Sequence, residues 1–380
     1  MTGSTHSEWP ERAAEPTRKL RVLVVMSQLR PASRVGGMGR VALGWARALV
    51  RRGHELHFTG PPSGLALEPQ PDLELHAWPS GGALVQLSSL LRVQRRIRAD
   101  VIHFHSALPH GELIVPVRLL RGFLGAPALV VTPHTSARSD YPKLRARSGL
   151  RAADGIVTVS RWSADAAIRV GTPAEICTVV HAGIEVVPEL SAKRLPVVVA
   201  LGRLKHVKGF DVLIEAFDRA AAGRPDWRLK IGGDGEDRER LEAQARAARH
   251  GDRVELLGGV YGEAKQRLLG EASIGVVPSR AENFPGTLLE FQAHGLACIG
   301  TELGGIPELA RGGAGALVPP GDAGALARKL SELMDDAELR GEMGRAARAL
   351  AATLDWDSLG AQLERAYTGA LGRRHGAGRN

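Results

Sequence analysis

Two carboxylates, Glu282 and Glu290, lie eight positions apart on either side of the start of a predicted helix. The helix begins near Gly286, and the polar loop before it follows the apolar run 274–277, which is typical of a buried strand. Ligands of open α/β sheets bind outside the carboxyl ends of strands, and the N–H groups of a helix N-terminus favour phosphate. The two carboxylates could therefore bind hydroxyls of a sugar and of a ribose with phosphates between them. The alternative is a solvated loop residue and a half-buried helix residue.

Two cations, Arg203 and Lys208, lie five positions apart in a loop that follows another apolar run, 197–201. Arginine binds phosphate through forked hydrogen bonds and lysine binds it as a point charge, so the pair could clamp a diphosphate. Taken alone, the pair could equally be two solvated loop cations.

Three histidines occur at the ends of predicted strands in the first half of the chain: His103, His105 and His134. A histidine pair can indicate a metal, but no carboxylate spacing completes a site there. His134, at a strand's carboxyl end and followed by small polar residues, is better placed to contact a substrate. The alternative is a satisfied core histidine.

Length and composition indicate a multidomain α/β protein. A chain of 380 residues is too long for one ordinary core, and 46 glycines with 4% aromatic residues suit many tight turns between strands and helices. The two cysteines, Cys177 and Cys298, build neither a disulfide framework nor a zinc motif, so we expect a reducing cytoplasm. Residues 1–18 lack an apolar segment and are predicted to be a disordered tail rather than a signal peptide. No apolar run is long enough to predict a transmembrane helix.

Strands and helices alternate along most of the chain, which predicts parallel sheets covered on both faces. In the first half we predict strands at 20–26, 54–58, 73–78, 101–105, 127–132, 155–159 and 176–180, and helices from Val41 to Gly53 and at 84–98, 110–122, 141–151 and 162–170. The pattern restarts after a Pro-rich stretch, with strands at 197–201, 228–232, 253–257, 274–277 and 297–300. Helices are predicted after Lys208, at 236–249 and 262–270, after Gly286, and at 322–334, 336–352 and 357–370. Asp355 and Asp357 have the spacing of a metal-binding pair, but they begin a helix, where aspartate is a cap.

Charge is uneven along the chain. Residues 1–190 carry 23 Lys+Arg against 15 Asp+Glu, a net charge of +8, and the remaining residues carry 27 against 26, which together give the overall +9. The basic residues of the first half form three groups: Arg92, Arg95, Arg96 and Arg98; Arg118 and Arg121; and Lys143, Arg145, Arg147 and Arg151. Such groups suit an anionic acceptor or an anionic membrane surface, or they serve solubility alone. No aromatic platform accompanies them, so nucleic acid is not a predicted partner.

A glycine pair, Gly36 and Gly37, precedes the first long helix. The pair is not the dinucleotide fingerprint, because the third glycine and the acidic residue of that motif are missing. It indicates that something, such as a phosphate or a sugar, approaches the backbone closely.

Together these motifs resemble a known family. The order Gly202-Arg203 to Lys208-Gly209, then Gly232 to Gly235, then Glu282-x7-Glu290, then Gly304-Gly305 is similar to that of retaining glycosyltransferases with the two-domain GT-B fold, of the family 4 type. The resemblance covers roughly residues 20–370. It implies two Rossmann-like domains that face each other across a cleft: an acceptor-binding domain, 19–186, a linker, 187–195, and a nucleotide-sugar-binding domain, 196–356. A C-terminal helix, 357–372, would pack back on the first domain.

The resemblance also implies roles for individual residues. Arg203 and Lys208 would hold the leaving diphosphate, Glu282 the donor sugar and Glu290 the ribose, while His134 would lie beside the reacting sugar. Further donor contacts would come from Gly36, Gly37, Val260, Asn283, Phe284, Gly286 and Thr287. No metal or cofactor is expected, because the cations and the helix N-terminus supply the positive charge.

The expected activity is transfer of a hexose-type sugar to a hydroxyl of a glycan, a lipid-linked acceptor or a small molecule, in the cytoplasm and with weak contact to an anionic membrane. A UDP-sugar is the first expected donor and GDP-mannose the second. Two alternatives remain: a sugar-nucleotide epimerase of the same fold, and a nucleotide-sugar-binding protein without turnover. Three residues depart from the family's pattern, namely Pro285, Phe291 and His181.

Overall fold

A computed structural model describes residues 18–26, 37–60, 73–79, 81–106, 111–134, 144–185 and 194–376. Most of the predicted tail and most of the predicted linker lie outside these residues, as does Gly36. Arg18, which the prediction assigned to the tail, is described, and its guanidinium donates to Asp100 at 2.9 Å.

The first half of the chain forms a seven-stranded parallel sheet in the order β3-β2-β1-β4-β5-β6-β7. Its strands are β1 (Arg21–Met26), β2 (Glu55–Gly60), β3 (Leu73–Ala77), β4 (Val101–Ser106), β5 (Ala128–Pro133), β6 (Gly155–Thr158) and β7 (Cys177–Val179). Its helices are α1 (Gly37–Arg51), α2 (Ala83–Ile97), α3 (Gly111–Leu120), α4 (Leu144–Arg151) and α5 (Arg161–Arg169). The strands in the middle of the sheet are almost continuously apolar because helices cover both of their faces.

The second half forms a six-stranded parallel sheet in the order β10-β9-β8-β11-β12-β13. Its strands are β8 (Val197–Leu201), β9 (Arg228–Gly232), β10 (Val254–Gly258), β11 (Ile274–Val277), β12 (Ala297–Thr301) and β13 (Ala316–Val318). Its helices are α6 (Phe210–Ala220), α7 (Arg238–Ala247), α8 (Gly262–Glu271), α9 (Gly286–Ala293), α10 (Ile306–Leu309), α11 (Ala323–Asp335) and α12 (Ala337–Ala352). The predicted fold class, two Rossmann-like α/β units, is confirmed.

Element boundaries differ from the prediction where local chemistry is ambiguous. The helix predicted to end at 122 ends at Leu120, and a 3-10 turn, Arg121–Leu124, follows it. The short helix α10 occupies a stretch for which we predict no helix, because Gly304, Gly305 and Pro307 are turn signals. Pro307 instead lies in the first turn of the helix, where its missing N–H costs nothing.

The last helix, α13 (Trp356–Gly376), returns to the first sheet and packs against α1, β5 and β6. Asp355 caps it by accepting from the N–H groups of Asp357 and Ser358 at 3.0 and 2.9 Å, as predicted. Glu364 accepts from Arg52, the residue after α1, and Tyr367 is fully buried. The helix therefore covers the first sheet although it follows the second sheet in sequence.

No helix among the described residues combines the length and the apolar character that crossing a membrane requires.

The indole of Trp356 lies in a pocket that only glycine can line. A Cβ atom added to Gly44 of α1, or to Gly183, would overlap the indole ring. The pocket joins the start of α13 to α1, so its shape couples the C-terminal helix to the first sheet.

We expect Gly44→Ala to lower the free energy of unfolding by about 1–3 kcal/mol, because the added methyl overpacks the pocket. Gly→Ala inside a helix ordinarily raises the free energy of unfolding by about 0.5–1 kcal/mol. A decrease at Gly44 would therefore distinguish overpacking from the ordinary effect on the helix. Gly372→Ala in α13, where an added Cβ meets nothing within 4 Å, is the matched control. Urea unfolding of both variants is the measurement, and equal stability of the two would contradict this packing.

Candidate active site

The site lies where the second sheet reverses its strand order. β8 pairs with β9 on one side and with β11 on the other, so the loops after β8 and β11 leave the same edge next to each other. Such a reversal is the usual ligand site of an open α/β sheet. Gly209, with φ of 68°, lets the two loops meet, because a Cβ atom there would overlap the carbonyl oxygen of Pro278.

Lys208 and Glu282 meet between these loops. The Lys208 Nζ donates to Glu282 Oε2 at 2.5 Å, and the N–H of Asn283 donates to Glu282 Oε1 at 3.2 Å. Both charged side chains are partly exposed. They line one crevice together with Thr287 of α9, so a cation, a carboxylate and a helix N-terminus face the same space.

Arg203 follows β8 in the same loop, and its side chain is exposed. It makes no ion pair with any residue that the structure describes. Its guanidinium is therefore available to an anion, whereas the Lys208 ammonium is already shared with Glu282.

The N-terminus of α9 presents donors to the crevice. Pro285 precedes the helix without a side-chain cap, and the first N–H groups of a helix have no partner within it. Gly286 and Thr287 therefore offer N–H groups, in the place where the sequence predicted phosphate contacts.

Glu290, one turn into α9, is buried and holds two cations that the sequence analysis missed. Its Oε1 accepts from Lys265 of α8 at 2.9 Å and from Arg40 of α1. Its Oε2 accepts no hydrogen bond from the described part of the chain. One carboxylate oxygen is thus neutralised while the other remains free to accept hydrogen bonds from hydroxyls.

Arg40 crosses from the first half of the chain to the second. Its guanidinium also lies 3.6 Å from the position that a Cβ of Gly286 would take, beside the N-terminus of α9. The only sequence signal for this residue was its place directly after the Gly36 to Gly39 run. Its partner Glu290 lies 250 residues away, so no local pattern could have joined them.

Asn283 and Phe284, predicted to contact the donor, lie in the contact between the two halves. The Ser160 hydroxyl donates to Asn283 Oδ1 at 2.9 Å, and Phe284 packs on the ring of His181 with 5.1 Å between centroids. Gly305 donates its N–H to the Asn283 carbonyl at 2.7 Å. Neither Gly304 nor Gly305 could carry a Cβ, because it would overlap this loop.

The departures from the family pattern have structural reasons. His181 lies 2.9 Å from a carboxylate oxygen of Glu308, which ties the two halves together. Phe291 is fully buried and packs against Gly275 of β11, so it faces the core and not the crevice.

His134 belongs to a group of stacked rings at the carboxyl end of the first sheet. Its Nε2 lies 3.0 Å from the Nδ1 of His105, and His105 packs on His103 and Trp45. His103 hydrogen-bonds Thr132 and Tyr367, both at 2.7 Å. Burial lowers the pKa of His103 and that of His134 to about 3, and it lowers the pKa of His105 as well. These rings are therefore neutral hydrogen-bonding groups near pH 7, and His134 is not a proton donor with an ordinary imidazolium pKa.

The remaining predicted residues lie at the rim. Val260 is partly exposed and packs beside Gly232, where it would lie 3.0 Å from an added Cβ. Gly37 begins α1, and an added Cβ there would lie within 4 Å of none of the described residues.

Comparison with known proteins agrees with this architecture. Residues 35–187 match the family profile described as Glycosyltransferase Family 4, and residues 185–350 match the profile described as Glycosyl transferases group 1. An N-acetyl-alpha-D-glucosaminyl L-malate synthase of Bacillus anthracis is 28% identical over 83% of this chain and 88% of its own length. A GDP-mannose-dependent mannosyltransferase of Corynebacterium glutamicum, which acts on a monoacylated phosphatidylinositol monomannoside, is 33% identical over 44% of this chain and 46% of its own.

Among solved structures, Anabaena HepE in complex with UDP superposes with a TM-score of 0.75, covering 91% of this chain and 99% of HepE at 19% identity. At that identity the likeness establishes the fold. The two matching profiles, which together span residues 35–350, and the shared fold define the class of the protein, a glycosyltransferase with the GT-B fold. Within this class, the chain belongs to the glycosyltransferases of the family 4 type.

Proposed function

We propose that this enzyme transfers a hexose-type sugar from a nucleotide-sugar to an acceptor hydroxyl with retention of the anomeric configuration. The observation that carries the proposal is the crevice at the N-terminus of α9. There the Lys208–Glu282 pair, at 2.5 Å, combines with Thr287 and with Glu290 one turn further along. Two carboxylates lie on either side of the helix N–H groups, with a cation beside the first, which matches the hydroxyls of the two sugars in a nucleotide-sugar and the phosphates between them.

In this proposal each group has a distinct role. Arg203 and Lys208 bind the diphosphate and stabilise the charge that develops as it leaves. The N–H groups of Gly286 and Thr287 bind phosphate oxygens. Glu282 accepts hydrogen bonds from the donor sugar.

Glu290 would bind the ribose through Oε2, because Lys265 and Arg40 both occupy Oε1. Charge-assisted hydrogen bonds of this kind are stronger than neutral ones. Arg40, beside the N-terminus of α9, would add a third cation near the diphosphate when the two halves close on the donor.

The proposed reaction needs no protein base. The acceptor oxygen forms a bond to the anomeric carbon on the face from which the diphosphate leaves. The electron pair of the breaking bond goes to the diphosphate oxygen, which then takes the acceptor's proton. The front half contributes orientation: His134, as a neutral ring, would hydrogen-bond the reacting sugar.

A UDP-sugar is the favoured donor, and GDP-mannose is the second. Support for uridine comes from HepE, whose structure holds UDP. Support for guanosine comes from the Corynebacterium relative, which uses GDP-mannose. An epimerase is disfavoured, since the front strands β4 and β5 end in histidines whose pKa values are lowered rather than in acid and base groups.

The acceptor side has a basic and apolar surface. Arg92, Arg95, Arg96 and Arg98 are all exposed at the end of α2. The 3-10 turn after α3 packs against α2, with Gln94 donating to the Leu124 carbonyl at 3.1 Å. Leu119, near the end of α3, is 77% exposed, and Phe123, in the turn, is 81% exposed. Arg118 and Arg121 of the predicted groups bind Asp154 instead. This combination supports an acceptor presented at an anionic membrane surface, on its cytoplasmic side.

Incubation with UDP-glucose alone tests the function. We expect slow release of UDP and glucose, and Arg203→Ala or Lys208→Ala should reduce turnover by roughly 10²-fold, since each removes about 3 kcal/mol of leaving-group stabilisation. Lys205→Ala is the matched control. Lys205 lies in the same loop as Arg203 and Lys208, but its ammonium pairs with Glu236 at 3.4 Å instead of facing the crevice. Conversion to an isomeric sugar would support the epimerase, and binding without turnover of either UDP-glucose or GDP-mannose would support the non-enzymatic alternative. Near-wild-type turnover by folded clamp variants would contradict the assigned roles.

Turnover should also survive EDTA. The positive charge at the diphosphate comes from Arg203, Lys208 and helix N–H groups, and none of these is lost on chelation. The measurement is donor turnover before and after chelator treatment and removal. Complete loss that Mn²⁺ or Mg²⁺ restores would show that a divalent cation serves the reaction.

Sedimentation with lipid vesicles tests the proposed surface. At low salt we expect binding to anionic vesicles and little binding to neutral ones, because each basic residue near an anionic surface contributes about 1 kcal/mol. Binding should weaken at about 0.5 M salt, where charges are screened within a few Å. The Leu119→Ser/Phe123→Ser variant should bind less than wild type, whereas Ile168→Ser, at an exposed site on α5, should not differ. If the protein sediments with neither anionic nor neutral vesicles at low salt, a soluble acceptor is favoured.

A further inference from the structure

A second group of chemically active side chains lies on the edge of the first sheet, outside the site described above. β3 is the edge strand and pairs with β2 in the register His57↔Glu74 and Thr59↔His76. Side chains two apart on a strand face the same side of a sheet. Glu55 and His57 of β2 therefore share a face with Glu74 and His76 of β3.

The ligand atoms of three of these residues converge. His57 Nδ1 lies 3.2 Å from His76 Nε2 and 3.4 Å from Glu74 Oε2, and His76 Nε2 lies 3.8 Å from Glu74 Oε1. Zinc with bonds of about 2.0–2.1 Å to nitrogen and oxygen places tetrahedral ligand atoms about 3.3–3.4 Å apart. The two distances from His57 Nδ1, 3.2 and 3.4 Å, are close to the edges of such a tetrahedron, while the 3.8 Å contact of His76 reaches the other carboxylate oxygen of Glu74.

The outer contacts suit a metal ligand as well. The other nitrogen of His57, Nε2, lies 2.9 Å from Glu55 Oε1. A carboxylate in this position accepts a hydrogen bond from Nε2–H, which fixes the tautomer and leaves the Nδ1 lone pair free on the side of His76 and Glu74. A hydrogen bond between two neutral histidines would explain the contact with His76, but it would not require Glu55 and Glu74 to approach the same ring from both sides.

We propose that His57, Glu74 and His76 bind one zinc ion that fastens the edge strand β3 to β2. Two imidazoles and one carboxylate are a zinc donor set with one open position, which water or an exogenous ligand fills. His57 is buried and Glu74 is half-exposed, so an ion can enter from solvent through the carboxylate side.

Arg96 of α2 is the competing cation. Its guanidinium donates to Glu74 Oε1 at 2.7 Å, and its side chain is 70% exposed. Zinc binding would displace it from the carboxylate into solvent. Arg96 therefore competes with zinc without being a ligand. Substitution of Arg96 should raise the zinc affinity, whereas substitution of a ligand should lower it.

The site is separate from the proposed donor site in position and in purpose. His57 and His76 lie within their strands, on the face of the sheet at its β3 edge, whereas the donor residues lie in loops of the second sheet. Zinc here should stabilise the native state in proportion to its occupancy and leave sugar transfer unchanged.

The test uses the full chain without a histidine tag, stripped with chelator and titrated with Zn²⁺ against a chromophoric competitor. We expect one zinc per chain and a rise in melting temperature on binding. His76→Gln and Glu74→Gln should each weaken binding by at least about 100-fold, and Glu55→Gln by about 10–100-fold, the usual cost of losing an outer-shell carboxylate. Arg96→Gln should tighten it.

Matched controls are Glu255→Gln, an exposed strand glutamate of β10, and His250→Gln, in the loop between α7 and β10; both should bind zinc as wild type does. Because Glu74 is half-exposed, its variant should fold even if substitutions of the buried His57 do not. Absence of stoichiometric zinc binding, or binding that Glu74→Gln and His76→Gln leave unchanged, would overturn the proposal. Donor turnover measured on the same stripped protein reports on the transferase separately, so failure of one leaves the other standing.

Discussion

The pairing of β8 with β11 is the constraint on which the candidate active site depends. Ile274 and Gly275 of β11 lie beside Val198 and Val199 of β8, although about 75 residues separate them along the chain. This adjacency delivers the loop of Arg203 and Lys208 next to the loop of Glu282. The two loops then touch at Gly209 and Pro278, and a Cβ atom on Gly209 would overlap the Pro278 carbonyl oxygen. A charge pair placed in this way is only partly buried, so it can exchange its partner for a ligand without leaving an isolated charge in the core.

The contact between the two halves is held by polar groups rather than by a large apolar surface alone. Arg40 binds Glu290, Ser160 binds Asn283, and His181 binds Glu308. Several of these residues flank the proposed donor site. Relative motion of the halves would change these hydrogen bonds. A donor bound at the proposed site would contact Glu290 and Asn283 too, so donor binding and closure of the two halves would be coupled.

The two halves of the chain differ in their net charge and in where their cations lie. The second half is nearly neutral overall, yet it concentrates cations around the N-terminus of α9. The first half carries the net positive charge on its outer helices, while its inner strand ends hold neutral histidines. In the proposed reaction, uncharged rings beside the sugar avoid competition with the diphosphate clamp, because a fixed cation at the position of the rings would attract the leaving group away from Arg203 and Lys208.

Local pattern was sufficient for most of the fold. Apolar runs such as Val197–Leu201 and Ile274–Val277 became strands because a run buried on both faces of a parallel sheet has few alternatives. Asp355 could be identified as a cap because its chemistry acts over two or three residues. The short helix α10 was missed, because Gly304 and Gly305 suggest a local turn, whereas their lack of side chains leaves room for the distant loop of Glu282 and Asn283.

What the sequence by itself determined was therefore the alternating α/β architecture and, through the order of its motifs, the family. The tertiary structure decided which charges meet. Arg40 and Lys265 carry no local signal of their relation to Glu290, and the Glu55, His57, Glu74 and His76 group forms only because β2 and β3 pair in one register. Periodicity and capping act over a few residues, whereas these contacts depend on strand order and on the return of α13. They are set by packing between elements that the chain separates by tens to hundreds of residues.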